Sequence, residues 1–266
     1  MNKIVFCDLD GTLLNDEHKV SDYSVKVISE LRNKGLYFVV ATGRPEIGIK
    51  HNWKLWHLDE IADEVIGING AMLFKDGTVE PVAYLSSEAQ LNIKSYFDDI
   101  ALNYYIYEDD YVYTTKLDER AKLLSTTNQV EVRICNIEEI MKHPHAKMAL
   151  SINPKDIEKS KELLKELKTK GYRGMFAMDC FIEFVDLRVS KANAMFEVLK
   201  RNAFDIKNTI AFGNEGNDIE MLEAANLGVC VLSGKDEVKK ISDDVTTFDH
   251  NNDGVAKYLL ELLDRE

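Results

Sequence analysis

Two carboxylates separated by a single residue close the first apolar run of the chain. Ile4 Val5 Phe6 Cys7 leads straight into Asp8-Leu9-Asp10-Gly11-Thr12. Side chains at i and i+2 of an extended segment point the same way, so Asp8 and Asp10 crowd each other. Like charges that close are unfavourable unless a proton or a cation intervenes, and magnesium suits a pair of hard oxygens. Gly11 frees the backbone to turn, and Thr12 sets a hydroxyl beside the pair. A strand ending in an acidic surface turn is the plain alternative, and Asp-x-Asp alone does not choose between them.

Three further clusters bear on the choice. Thr42-Gly43 follows a second apolar run and precedes Arg44-Pro45, a helix start whose free N–H groups suit a phosphate. Lys191 opens a later helix and offers a mobile point charge. Gly213 and Gly216 let a loop approach closely, with Asn214 and Asp218 supplying oxygen ligands to a metal. In an open parallel sheet, ligands sit beyond the carboxyl ends of the strands, and all four clusters fall at such ends or at a helix start facing them. The chemistry implied is phosphoryl transfer to a carboxylate. Asp8 attacks phosphorus while magnesium, Lys191 and the Thr42 hydroxyl hold the phosphoryl oxygens. Asp10 protonates the leaving oxygen and then deprotonates the hydrolytic water.

The elements that must position these residues alternate strand and helix at both ends of the chain. Ser21 caps a helix carrying Val25, Ile28 and Leu31 on one face, and Gly35 ends it. Leu36 to Ala41 reads as a buried parallel strand, and a shorter strand from Glu64 to Ile68 runs into Asn69-Gly70-Ala71. In the tail, Ser190 caps a helix to about Arg201, and Thr209 to Phe212 is a strand. The loop 213–218 opens a helix from Ile219 to Ala225, Gly228 to Leu232 is a further strand, and Val255 to Leu263 is amphipathic. The middle differs, with a helix from Glu88 to Ile100 and a hairpin of Tyr104–Tyr107 and Tyr111–Thr115 around Asp109-Asp110. A strand from Lys147 to Ile152, a charged helix from Lys155 to Lys170 and a mostly extended Phe176–Val185 complete it. The predicted fold is α/β: a Rossmann-like parallel-sheet core from residues 1–83 and 187–266, with an inserted α+β cap domain at 84–186.

These motifs, taken in order, resemble the four signature motifs of the haloacid dehalogenase superfamily: Asp8-Leu9-Asp10-Gly11-Thr12, Ala41-Thr42-Gly43-Arg44, Ser190-Lys191 and Gly213-Asn214-x-x-Asn217-Asp218. Asn69-Gly70-Ala71 and Asn252-Asp253-Gly254-Val255 further resemble its Cof-type sugar-phosphate phosphatases, which carry a large type IIB α/β cap between the second and third motifs. The resemblance implies that Asp8 is nucleophile and metal ligand. It makes Asp10 the general acid/base, binding Mg2+ through its backbone carbonyl. Leu9, Thr42, Gly43, Lys191 and Asn217 then contact phosphate, Asn214 and Asp218 serve the metal, and Arg44 and Asn69 order the loop or meet the substrate. One departure stands out. The family has Gly-Asp where this chain has Gly213-Asn214, so a charged ligand has become an amide, with Glu215 or Asp218 left to compensate.

Composition bounds the function. With 266 residues, two domains are expected. Apolar residues at 45 % and only four prolines fit packed cores. The net charge of −13, without a basic stripe, argues against nucleic acid. The four cysteines form no CxxC pair, there is no signal peptide, and no stretch of about 18 apolar residues exists to cross a membrane. A cytoplasmic enzyme acting on a small phosphorylated metabolite, as a monomer or weak homo-oligomer, is the expectation. Trp53 and Trp56, three apart on an expected helix, read as packing residues, as do the tyrosines between 104 and 113. His143-Pro144-His145 lacks convincing metal spacing. A phosphomutase on the same core and a phosphometabolite-binding regulatory protein are the rival functions.

Overall fold

The structure, a computed structural model, describes residues 3–108 and 111–263, so the hairpin tip expected at Asp109-Asp110 lies outside the described residues. Contacts divide the chain into two compact units. One comprises Met1–Arg44, Asn52–Glu80 and Ser190–Glu266, the other Pro45–His51 and Pro81–Val189.

In chain order the first stretch gives β1 (Ile4–Asp8), α1 (Asp22–Asn33), β2 (Tyr37–Ala41), α2 (Glu46–Asn52), α3 (Leu58–Ile61), β3 (Glu64–Gly67), β4 (Met72–Lys75) and β5 (Thr78–Pro81). The middle gives α4 (Ser87–Phe97), β6 (Ala101–Glu108), β7 (Tyr111–Thr114), α5 (Glu119–Asn128), β8 (Glu131–Ile134), α6 (Ile137–Ile140), β9 (Met148–Ile152), α7 (Ile157–Thr169), β10 (Tyr172–Met178) and β11 (Phe181–Asp186). The last stretch gives α8 (Lys191–Asn202), β12 (Thr209–Gly213), α9 (Ile219–Ala224), β13 (Leu227–Cys230), α10 (Asp236–Ile241), β14 (Asp244–Val245) and α11 (Gly254–Leu263).

The first unit is built on an eight-stranded sheet in the order β14-β13-β12-β1-β2-β3-β4-β5. From β14 to β3 every pairing is parallel, and β4 runs antiparallel to β3. Ile4, Val5, Phe6 and Cys7 are fully buried, as an apolar run covered on both faces demands. The register aligns Asp8 with Ala41, Ala41 with Ile66, and Cys7 with Phe212. The strand ends at Asp8, Ala41, Gly67 and Gly213 therefore share one edge of the sheet. Ser21 caps α1 through the Ser24 N–H, and Val25, Ile28 and Leu31 turn inward.

The second unit carries a six-stranded sheet, β10-β11-β9-β6-β7-β8, antiparallel except between β7 and β8. Ile93, Phe97 and Leu167 of its helices pack with Met148, Leu150, Ile182 and Phe184. A second cluster joins Tyr105, Ala149 and Phe181 to Ala121 and Leu124 of α5 and Ile47 of α2. Among the described residues no helix is long and apolar enough to cross a membrane.

Two local expectations give way. Trp53 and Trp56 do not ride a helix: α2 stops at Asn52, His57 takes a left-handed φ of 51°, and the Leu58 N–H turns back to the Trp53 carbonyl. The extended stretch 176–185 is two antiparallel strands joined at Asp179-Cys180, where Cys180 adopts φ 58°.

Candidate active site

Asp8 ends β1 with its carboxylate buried, and Lys191 is the first residue of α8. Ser190 caps that helix by accepting the Asn193 N–H, which fixes where Lys191 leaves the backbone. Lys191 is 1 % exposed, and its Nζ donates to Asp8 Oδ1 at 2.5 Å and to Asp218 Oδ1 at 2.6 Å. A buried ammonium survives only when paired. Burial works to lower its pKa, but the two carboxylates outweigh this and raise it, so Lys191 stays charged. Burial likewise raises the Asp8 carboxyl, assisted by Asp218 and opposed by Lys191.

Asp218 is fully buried, and both of its oxygens are occupied. Oδ1 takes Lys191, while Oδ2 accepts the backbone N–H groups of Asn214 and Glu215. The Glu215 side chain accepts the Asp218 N–H in return, completing a capping box, and pairs with Lys235 at 2.6 Å. Both carboxylates thus already have partners within the protein.

Asp10 lies two residues past β1 and turns to Arg44. Arg44 Nε donates to Oδ2 at 3.0 Å and a terminal guanidinium nitrogen to Oδ1 at 2.6 Å, a bidentate pair. Sequence reasoning gave Arg44 a loop or substrate role and did not foresee this partner. The Thr42 N–H donates to the Ile66 carbonyl, its hydroxyl oxygen accepts the Arg44 N–H at 3.1 Å, and the hydroxyl hydrogen is left to donate. Asn69, at φ 52°, donates its N–H to the Thr42 carbonyl, and its Oδ1 accepts from Asn217 Nδ2 at 2.9 Å. That bond ties the Thr42-Gly43 loop to the 213–218 loop. Leu9 is buried, and its carbonyl accepts the N–H groups of Leu13 and Leu14, closing the turn after β1.

Metal fit can be tested on the oxygens themselves. Asp8 Oδ2, Thr12 Oγ1 and Asn214 Oδ1 are buried without a hydrogen-bond partner, an arrangement that native interiors avoid unless something else binds there. Gly11, at φ 74°, allows the approach: a Cβ there would stand 2.4 Å from Asn214 Nδ2. No group of three or more His, Cys, Asp or Glu side chains placed for a metal occurs among the described residues. A hard cation would therefore rest on Asp8, the Asn214 amide oxygen and main-chain oxygen, a donor set that fits magnesium. Thr12, Ser190 and Trp56 complete the neighbourhood. Thr12 and Ser190 stand beside the motif residues in sequence, whereas nothing local signals Trp56.

The haloacid dehalogenase-like hydrolase family model matches residues 5–259. A 5-amino-6-(5-phospho-D-ribitylamino)uracil phosphatase of Bacillus subtilis, YcsE, is 30 % identical over 266 residues, covering 96 % of this chain and 93 % of its own. The crystal structure of TM0651 from Thermotoga maritima is 28 % identical, with a TM-score of 0.85 over 98 % of this chain and 97 % of that one. The fold is also that of the subclass IIB sugar phosphatase BT4131, with a TM-score of 0.81, 24 % identity and 98 % of both chains covered. These likenesses agree with the convergence of the motif residues: the chain belongs to the haloacid dehalogenase-like hydrolases and is one of their phosphatases.

Proposed function

We propose that the protein is a magnesium-dependent phosphatase of small phosphorylated metabolites, with sugar phosphates as the expected class, and that it works through an aspartyl-phosphate on Asp8. The observation that carries this reading is the Lys191 ammonium held between Asp8 and Asp218, beside three buried oxygens without partners. Asp8, Asn214 and the Asp10 carbonyl would hold Mg2+, which supplies positive charge to the phosphoryl oxygens when bound. Asp218, which the sequence offered either as a ligand or as a support behind the ligands, would serve in the second way by holding Lys191 and the 213–218 loop.

In the first step an Asp8 oxygen forms a bond to phosphorus as the bond to the leaving oxygen breaks. The leaving oxygen takes the electron pair and a proton from Asp10. Lys191, the Thr42 hydroxyl and the amides around Leu9 and Gly43 bind the phosphoryl group, with Asn217 at its rim. In the second step Asp10 removes a proton from water as that water attacks phosphorus, returning Asp8 and releasing phosphate. Asp8 supplies the nucleophile and Asp10 moves the proton in both steps.

Asp8→Asn removes the nucleophile and leaves shape intact. Metal-dependent release of phosphate from an aryl phosphate should fall by at least about a thousandfold, measured with and without chelator. Retained turnover in Asp8→Asn excludes the aspartyl-phosphate. No turnover by the unaltered protein on a broad phosphate panel would favour a binding or regulatory protein. Isomerisation of a sugar phosphate faster than phosphate release would identify a mutase.

A further inference from the structure

Asp10 is held by a circuit of contacts that closes on its own loop. Its carboxylate lies in the bidentate grip of Arg44. The Arg44 guanidinium carbon stands 5.3 Å from the centre of the Trp56 ring, within range of a cation–π contact. Trp56 is 1 % exposed, and its Nε1 donates to the His18 carbonyl at 3.0 Å. His18 presents that carbonyl because it takes φ 56°, in a turn knotted by Asn15. The Asn15 carbonyl accepts the His18 N–H, and its side chain accepts the N–H groups of Glu17 and Lys19. Leu14, the residue before Asn15, forms a β-bridge with Asp10. All these residues lie in the first unit.

A buried indole whose N–H is satisfied by a main-chain carbonyl cannot rotate without losing that bond. Its ring therefore offers Arg44 a fixed plane on which to stack. The Asp10 side chain is 41 % exposed and Arg44 22 %, so the ring supplies a wall on one side of a pair that solvent reaches on the other. We propose that Trp56 is a positioning residue for proton transfer by Asp10, acting through Arg44 and anchored by the His18 carbonyl. This rests on the reading of Asp10 as general acid/base. It gives Trp56 a specific task where packing alone would ask only for apolar bulk.

Proton donation matters in proportion to how poor the leaving group is. An alkoxide needs the proton, whereas 4-nitrophenolate leaves well without it. Trp56→Leu and Trp56→Phe should be assayed on 4-nitrophenyl phosphate and on an alkyl phosphate such as glycerol phosphate. Trp56→Phe keeps a buried ring while losing the bond to His18 and the volume of one ring of the indole, so it serves if Trp56→Leu folds poorly. The expected result is a fall in kcat/KM, which reports only the steps up to leaving-group departure, of about tenfold or more on the alkyl phosphate, with less than about threefold on the aryl phosphate. In an Asp10→Asn background, either substitution should add less than about twofold. Equal losses on the two substrates, or full additivity with Asp10→Asn, would overturn the role and leave Trp56 a packing residue. If Asp10→Asn alone leaves the rate on the alkyl phosphate unchanged from the parent, the acid/base reading itself falls, and the Trp56 proposal with it.

Discussion

At the residue scale, the charge balance of the site turns on Lys191. When Asp8 and Asp218 are both ionised, its one positive charge faces two negative ones, a net −1 beside the neutral Asn214 amide. Aspartate at position 214 would make that −2 and deepen the well for a dication. Asn214→Asp should lower the magnesium concentration for half-maximal activity by about tenfold, since ligand charge tunes such affinities. Isothermal titration with Mg2+ alone gives the same reading without turnover, and an unchanged affinity would show that residue 214 is not a ligand. Asp8 stood out in the sequence because a charge at the end of an apolar run needs a reason. Lys191 and Asp218 stood out because they fall in order with the other motifs, but the contacts that join the three were not readable there. The Asp10–Arg44 pair was legible only as two candidates. Its partner Trp56 was not, since that contact depends on the turn at His57 and the left-handed His18, neither of which any residue pattern announces.

At the element scale, the parallel register brings four strand ends to one edge, and close backbone approach keeps them there. A Cβ on Gly70, at φ 110°, would stand 2.2 Å from the Ser190 carbonyl, so this glycine lets the segment after β3 touch the start of α8 and set the height of Lys191. Helix starts at Ser21 and Ser190 were readable from their caps, and the buried strands from their apolar runs. The hairpin of β10 and β11 was not, because Asp179-Cys180 carries none of the usual glycine or asparagine turn chemistry. In the second unit, Asp118 caps α5 through the Ala121 N–H at 2.8 Å and accepts from Asn103 Nδ2 and the Tyr105 hydroxyl. Burial works to raise its pKa, but the hydrogen bonds from Ala121, Asn103 and Tyr105 prevail and hold it below the ordinary value. A depressed carboxyl stabilises the fold above its unfolded pKa of about 3.9 and loses that contribution as pH falls through its folded value. Asp118→Asn, which sets an amide N–H against two donors, should cost about 1–2 kcal/mol at pH 7. Thermal unfolding from pH 7 down to pH 3 should show the gap between variant and parent closing below about pH 4. A gap constant with pH would mean that the Asp118 charge contributes nothing.

At the scale of the whole molecule, a net charge of −13 confronts a doubly negative substrate. The cation nearest the reaction, Lys191, is buried and already neutralised, so long-range repulsion slows encounter. Raising ionic strength from about 10 mM to about 150 mM at fixed free Mg2+ shortens the Debye length to about 8 Å. The kcat/KM for a phosphate dianion should then rise by about two- to fivefold. A fall with salt would point instead to a positive field at the mouth of the site. Composition made this charge plain from the outset, while the partition into two units was readable only where strand–helix alternation breaks off. The central strand β1 also has a history in time. Its neighbours β2 and β12 come from opposite ends of the chain, and Asp8 meets Lys191 across 183 positions of sequence. During synthesis, β1 emerges ahead of both neighbours and waits with one edge unpaired until residues 209–213 have left the ribosome. Until then the chain carries an apolar strand seeking a partner and, before Lys191, an aspartate without its counter-charge. Hydrolytic competence arrives only with the C-terminal stretch, and so does the protection of β1 from the wrong neighbour.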